Sequence, residues 1–145
     1  MYNVTSDLTL VQRRDFSIDS PGWFTVSGLQ GMWATLVGDK LFPATSLAEV
    51  TPLFPIWTES NRDKTVGWTK DVTNTKKLTV LFGKHFATTD QYQGSAPALG
   101  DSLEIAANTG KLVVGTTNVI AYCVKAPYTL SYFGSDTTVI DIYVL

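Results

Sequence analysis

Imidazole chemistry in this chain rests on one histidine, His85, set in the string Phe82-Gly83-Lys84-His85-Phe86-Ala87-Thr88-Thr89-Asp90. A triad or an acid-base pair must bring a second group within hydrogen-bond reach of that ring. The flanks of His85 instead alternate apolar and polar as a strand does, and no Gly-x-Ser-x-Gly elbow occurs. His85 therefore reads as a surface or hydrogen-bonded side chain. Cys123 is the lone cysteine. It lies in the apolar run Val119 to Val124 without a neighbour that would favour its thiolate, and it has no partner in the chain for a disulfide. One histidine and one cysteine fall short of the three or four N/S ligands that zinc takes. Asn61, Asp63 and Asp71 share a polar segment, but without the D-x-D-x-D-G spacing of a calcium loop they read as solvated turn residues. No Walker loop and no Gly-x-Gly-x-x-Gly follows a strand. The expectation is a protein with no catalytic, cofactor-binding or metal-binding set: no enzyme and no cofactor.

The aromatic residues are the richer group. Trp23, Trp33, Trp57 and Trp68 stand with Tyr92, Tyr122, Tyr128, Tyr132 and Tyr143 in a short chain, and exposed rings are what protein interfaces and sugar-binding modules use. Most of these rings belong in a core. Trp68 is the expected exception, because polar turn-forming residues flank it on both sides. Arg13, Arg14, Lys76, Lys77 and Lys84 could form a basic patch beside aromatic stacking partners. With 11 Lys plus Arg against 13 Asp plus Glu, a net charge of -2 argues for solvated faces and strand-edge guards instead. The expected partner-binding residues are Arg13, Arg14, Trp68 and Tyr143, with neither nucleic acid nor a membrane as partner.

The elements that would position these residues are strands almost throughout. Val4 to Leu10, Gly22 to Val26, Lys77 to Phe82 and Ser102 to Ala106 alternate with period two. Asn108-Thr109-Gly110 supplies the turn residues of a hairpin between Leu103-Ile105 and Leu112-Val114. Val119 to Val124 and Thr137 to Leu145 are strongly apolar, and read as late strands buried on both faces or against a partner. Ser46 to Val50 could start a helical turn behind Thr45, which Pro52 and Pro55 would end. The polar segment 59–75, ESNRDKTVGWTKDVTNT, reads as a projecting loop or hairpin carrying Trp68. Residues 1–14 read as a docking arm or an edge strand.

The 145 residues, 44% apolar and 17% charged, suffice for one domain with a buried core and exclude a disordered chain. The expectation is a single all-β domain over 1–145, an antiparallel β-barrel or β-sandwich with an extended N-terminal arm and a long polar loop. The opening MYNVTSDLTL has no basic region followed by an apolar one, so cytoplasmic synthesis is expected. No apolar run approaches the ~18 residues of a membrane-spanning helix.

One pattern runs through most of the chain. A strand LTVLFGKHFATTDQY is followed by the link QGSAPALGD, the hairpin SLEIAANTGKLVV and the strand NVIAYCVKAP. Before them, GWFTVSGLQGMWATLVGDKLFPATS leads into PLFPIWTES. This layout resembles the capsid decoration (cement, head-stabilising) proteins of tailed bacteriophages. The resemblance implies a non-catalytic β-domain on the outer surface of an assembled head, made in the host cytoplasm and carried on the virion. Its implied partner is the major capsid protein, and its implied state a dimer or trimer that bridges neighbouring capsomers. A tail, connector or baseplate component shares the same composition, and a carbohydrate-binding module is the reading from a different class.

Overall fold

The structure, a computed structural model, describes residues 2–5, 11–18, 31–44, 53–55, 77–106, 109–132 and 134–145. Across these residues the chain is all β, with eleven strands and no helix. They are β1 (Tyr2–Val4), β2 (Gln12–Ile18), β3 (Trp33–Val37), β4 (Lys40–Pro43), β5 (Leu53–Pro55), β6 (Lys77–Phe82), β7 (His85–Thr89), β8 (Ser102–Ile105), β9 (Leu112–Val114), β10 (Ala121–Tyr132) and β11 (Ser135–Val144). A six-stranded sheet has the order β1-β7-β11-β10-β8-β9, and a five-stranded sheet the order β5-β3-β4-β2-β6. The ladders are antiparallel apart from β2 and β4, which run parallel through Ser17↔Lys40 and Ile18↔Leu41. The chain starts the larger sheet with β1, builds the smaller sheet with β2 to β6, and returns at β7 to pair with β1 through Tyr2↔Thr89 and Val4↔Ala87.

Alternation decides which side chains are enclosed. Ala87, Leu103, Ile105, Ala121, Cys123, Ile140, Ile142 and Val144 of the larger sheet meet Trp33, Ala44 and Leu81 in one apolar cluster. The two sheets thus share one apolar cluster, which covers an inner face of each. Each fully buried Leu or Ile there contributes about 1.5–3 kcal/mol relative to exposure. Ala34, Leu41 and Val80 are equally buried but stand outside that cluster. They occupy the far face of the smaller sheet, whose edge strands β5 and β6 curl back until their Cα atoms come within 8 Å.

The hairpin of β8 and β9 has the register Leu103↔Val114, Glu104↔Val113 and Ile105↔Leu112. Gly110 closes it at φ 65, a left-handed conformation that suits glycine. It also carries a backbone hydrogen bond between the sheets, because the Trp33 amide donates to its carbonyl at 2.8 Å. A Cβ on Gly110 would stand 3.1 Å from the Trp33 carbonyl oxygen.

Several expectations change. The late strands are longer than Val119 to Val124 and Thr137 to Leu145 suggest, and within the chain β10 is not enclosed on both faces: Tyr122 is 39% exposed between buried Ala121 and Cys123. Residues 53–55, read as the end of a helical turn, form β5, and 45–52 lie outside the described residues. So do 6–10, Gly22 to Val26 and the segment 59–75 with Asn61, Asp63, Trp68 and Asp71. Within 1–14, Tyr2–Val4 is the edge strand of the larger sheet and Gln12 opens β2.

Candidate protein-binding face

The outer face of the six-stranded sheet is built from the residues between the enclosed ones. Phe86 of β7 lies opposite Tyr143 of β11, and Tyr143 lies opposite Tyr122 of β10. Three aromatic side chains therefore form a row across three adjacent strands. The Phe86 and Tyr143 rings are 4.9 Å apart between centroids and tilted at 40°, a cross-strand aromatic contact of the kind that stabilises paired strands. Phe86 is 46% exposed and Tyr143 half-buried.

A polar row runs beside it. Asp141 of β11 accepts from the Thr88 hydroxyl at 2.6 Å and from the Tyr128 hydroxyl at 2.8 Å, both on Oδ1. The Lys125 ammonium sits 3.6 Å from the centre of the Tyr128 ring, a cation-π contact. Strict alternation along β10 would not put Lys125 and Tyr128 on one face. Two β-bulges do so, one between Cys123 and Lys125 and one between Lys125 and Tyr128, each giving β10 one extra residue against β11. Pro127, which lacks a ladder donor, lies within the second. The Tyr128 phenol is pushed up, first by burial and then by its bond to Asp141, so it remains a proton donor at neutral pH.

Beyond the bulges the strand pair leaves the sheet. β8 pairs with β10 at Ala121 and Tyr122, and β7 pairs with β11 from Ile140 to Val144. From Tyr128 to Tyr132 and from Ser135 to Val139, β10 and β11 have only each other among the described residues. This two-stranded ribbon turns at Gly134, φ 77.

His85 is a structural clasp. Its Nδ1 lies 2.7 Å from the Gly83 carbonyl oxygen, which can only accept, so Nδ1 carries the proton and Nε2 accepts from the Tyr2 hydroxyl at 2.7 Å. Tyr2 is 1% exposed. Burial holds the imidazole below its ordinary range, against the pull of the Gly83 bond, and burial raises the Tyr2 phenol. The result is a neutral pair that ties β1 to the corner between β6 and β7. Cys123 is enclosed, and its thiol is pushed up by burial despite a bond from Sγ to the Lys125 carbonyl. Among the described residues no three His, Cys, Asp or Glu side chains group as metal ligands would.

Of the four expected partner-binding residues, Tyr143 joins the aromatic row. Arg14 is exposed on β2 of the other sheet, opposite Val80. Arg13 is on β2 opposite Leu81 with its side chain outside the described set, and Trp68 is outside it entirely. Sequence reasoning misses Phe86 as a surface residue because its position beside Tyr143 depends on a pairing of strands far apart in the chain. The signal available is its place next to His85 in an alternating strand.

No family model, characterised protein or solved structure matches this chain.

Proposed function

We propose that this chain is a virion structural protein that binds the outer surface of an assembled tailed-phage head and stabilises it by bridging neighbouring capsomers, with the major capsid protein as partner and no chemistry of its own. The observation that carries the reading is the partly exposed row Phe86, Tyr143 and Tyr122 on a sheet made rigid by a second sheet behind it. Aromatic anchors on a preorganised support are what concentrate binding free energy at protein interfaces. Phe86 and Tyr143 are tilted at 40° to each other, so the pair does not form one flat stacking platform. The resemblance of the sequence to decoration proteins supports the choice of partner. Each contact can be weak, because a symmetric shell repeats it and converts modest affinity into avidity.

The test mixes the purified protein with expanded phage heads. The protein should co-sediment with them and raise their melting temperature, and Phe86→Ala with Tyr122→Ser should abolish co-sedimentation while the free protein keeps its β-type circular dichroism. Failure to bind heads, or electron-microscopy density on tails instead, would reject the reading.

A further inference from the structure

The link from β7 to β8 ends in a turn that is fastened on both sides. The Gln93 amide donates to the Leu112 carbonyl at 2.9 Å, which fixes the start of the link on β9. Pro97 is buried in its middle. At the far end the Gly100 amide donates to the Cys123 carbonyl at 2.8 Å, and the Cys123 amide donates to the Asp101 carbonyl at 2.9 Å, so the base of the turn is tied to β10. Ala98 to Asp101 form a type II turn. The Asp101 amide donates to the Ala98 carbonyl at 3.1 Å, and Gly100 in third place has φ 91, the left-handed value that this turn requires there. The Asp101 carboxylate closes the turn a second time, accepting from the Ala98 amide on Oδ2 at 2.8 Å.

The tip of this turn is Leu99, 74% exposed and the most exposed large hydrophobic side chain among the described residues. Ala96 and Ala98 on either side of Pro97 are exposed as well. The second place of a type II turn takes proline readily, so the backbone does not call for leucine at that corner. Single apolar side chains are ordinary on a protein surface. One mounted on a turn with its hydrogen bonds already made is a different object, because an anchor ordered in advance loses little freedom on binding. The turn also continues the aromatic row. It runs into Ser102, which lies opposite Tyr122, so Phe86, Tyr143 and Tyr122 lead strand by strand to its base.

We infer that Leu99 is a second anchor of the binding face, seated in an apolar pocket on the surface of the major capsid protein. The inference rests on the shell-binding reading and names what that partner must offer: a recess for one aliphatic side chain, beside the surface that meets the aromatic row.

Co-sedimentation titrations with expanded phage heads test it. Leu99→Ser should weaken binding by roughly tenfold or more, the loss that truncation of an interface anchor brings. The melting temperature of the free protein should stay that of the wild type, because the side chain removed stands in water. Leu99→Met, apolar and of similar volume, should keep most of the affinity. Val37→Ser, at an exposed apolar position of the smaller sheet, should change nothing. Wild-type affinity in Leu99→Ser overturns the inference and leaves the shell-binding reading standing. An equal loss in Val37→Ser does the same, since it would mark a general response to lost surface hydrophobicity. A wild type that does not bind heads overturns the shell-binding reading, and the inference with it.

Discussion

At the residue scale, the side chain that catalysis would have needed most is spent on holding a strand. His85 has both ring nitrogens engaged, one by a main-chain carbonyl and one by a buried phenol. Tyr2→Phe keeps the ring and removes the donor, leaving Nε2 buried and unsatisfied. It should cost about 1–3 kcal/mol, read as a shift of the urea midpoint with an unchanged slope. The same clasp sets a pH dependence. Because the folded state holds His85 below its ordinary 6.5, the unfolded chain binds the extra proton first as pH falls. The contribution is fully present above pH 6.5 and drains away on acidification toward the lowered folded value. Melting temperature should therefore decline below about pH 6.5, and His85→Gln should flatten that part of the profile. The sequence leaves His85 as either a surface or a hydrogen-bonded side chain; it is 2% exposed and hydrogen-bonded, and the phenol that engages it is not legible, since it arrives from the other end of the chain. Glu104 shows a different limit: alternation places it toward water, yet it is nearly enclosed, accepting from the Thr117 amide at 3.0 Å over a close-packed Gly115.

At the element scale, sequence is informative wherever turn chemistry and alternation agree. Thr109 and Gly110 mark the β8-β9 turn, and the strands they join are the ones their apolar residues indicate. Lys77–Phe82 is β6 as its alternation suggests. The ribbon escapes a reading of the sequence because Lys125, Pro127 and the polar run after Gly134 look like loop. The bulges that absorb the proline are properties of a strand pair, and no single strand announces them. The ribbon's dependence on one ladder has a measurable result. Amides of 128–132 and 135–138 should exchange with deuterium faster than those of 121–123 and 140–144, which sit in a multi-stranded sheet over an apolar cluster. Equal protection in dilute protein would mean that the ribbon is covered.

At the scale of the whole molecule, the smaller sheet is an insertion between two strands that pair with each other, β1 and β7. The main-chain bond from Trp33 to Gly110 and the shared cluster of Trp33, Leu81, Leu103 and Ile140 then join the sheets a second time. With the two halves linked at both places, neither can lose its packing without exposing the other. Unfolding should be one transition, with far-ultraviolet circular dichroism and tryptophan fluorescence coincident and the calorimetric and van't Hoff enthalpies equal; two resolved transitions would show the sheets to be separate units. The all-β class is readable from composition and alternation, whereas the insertion is not, because it is defined by the long-range β1-β7 pairing. Cys123 adds a practical consequence. The only sulfhydryl of the chain sits on β10 inside the cluster that both sheets share, so a maleimide or a disulfide dye can reach it only when that seam parts. Its labelling rate is a clock for breathing of the molecule, supplied by nature without a reporter having to be engineered, and it should slow wherever a bound neighbour holds the larger sheet shut.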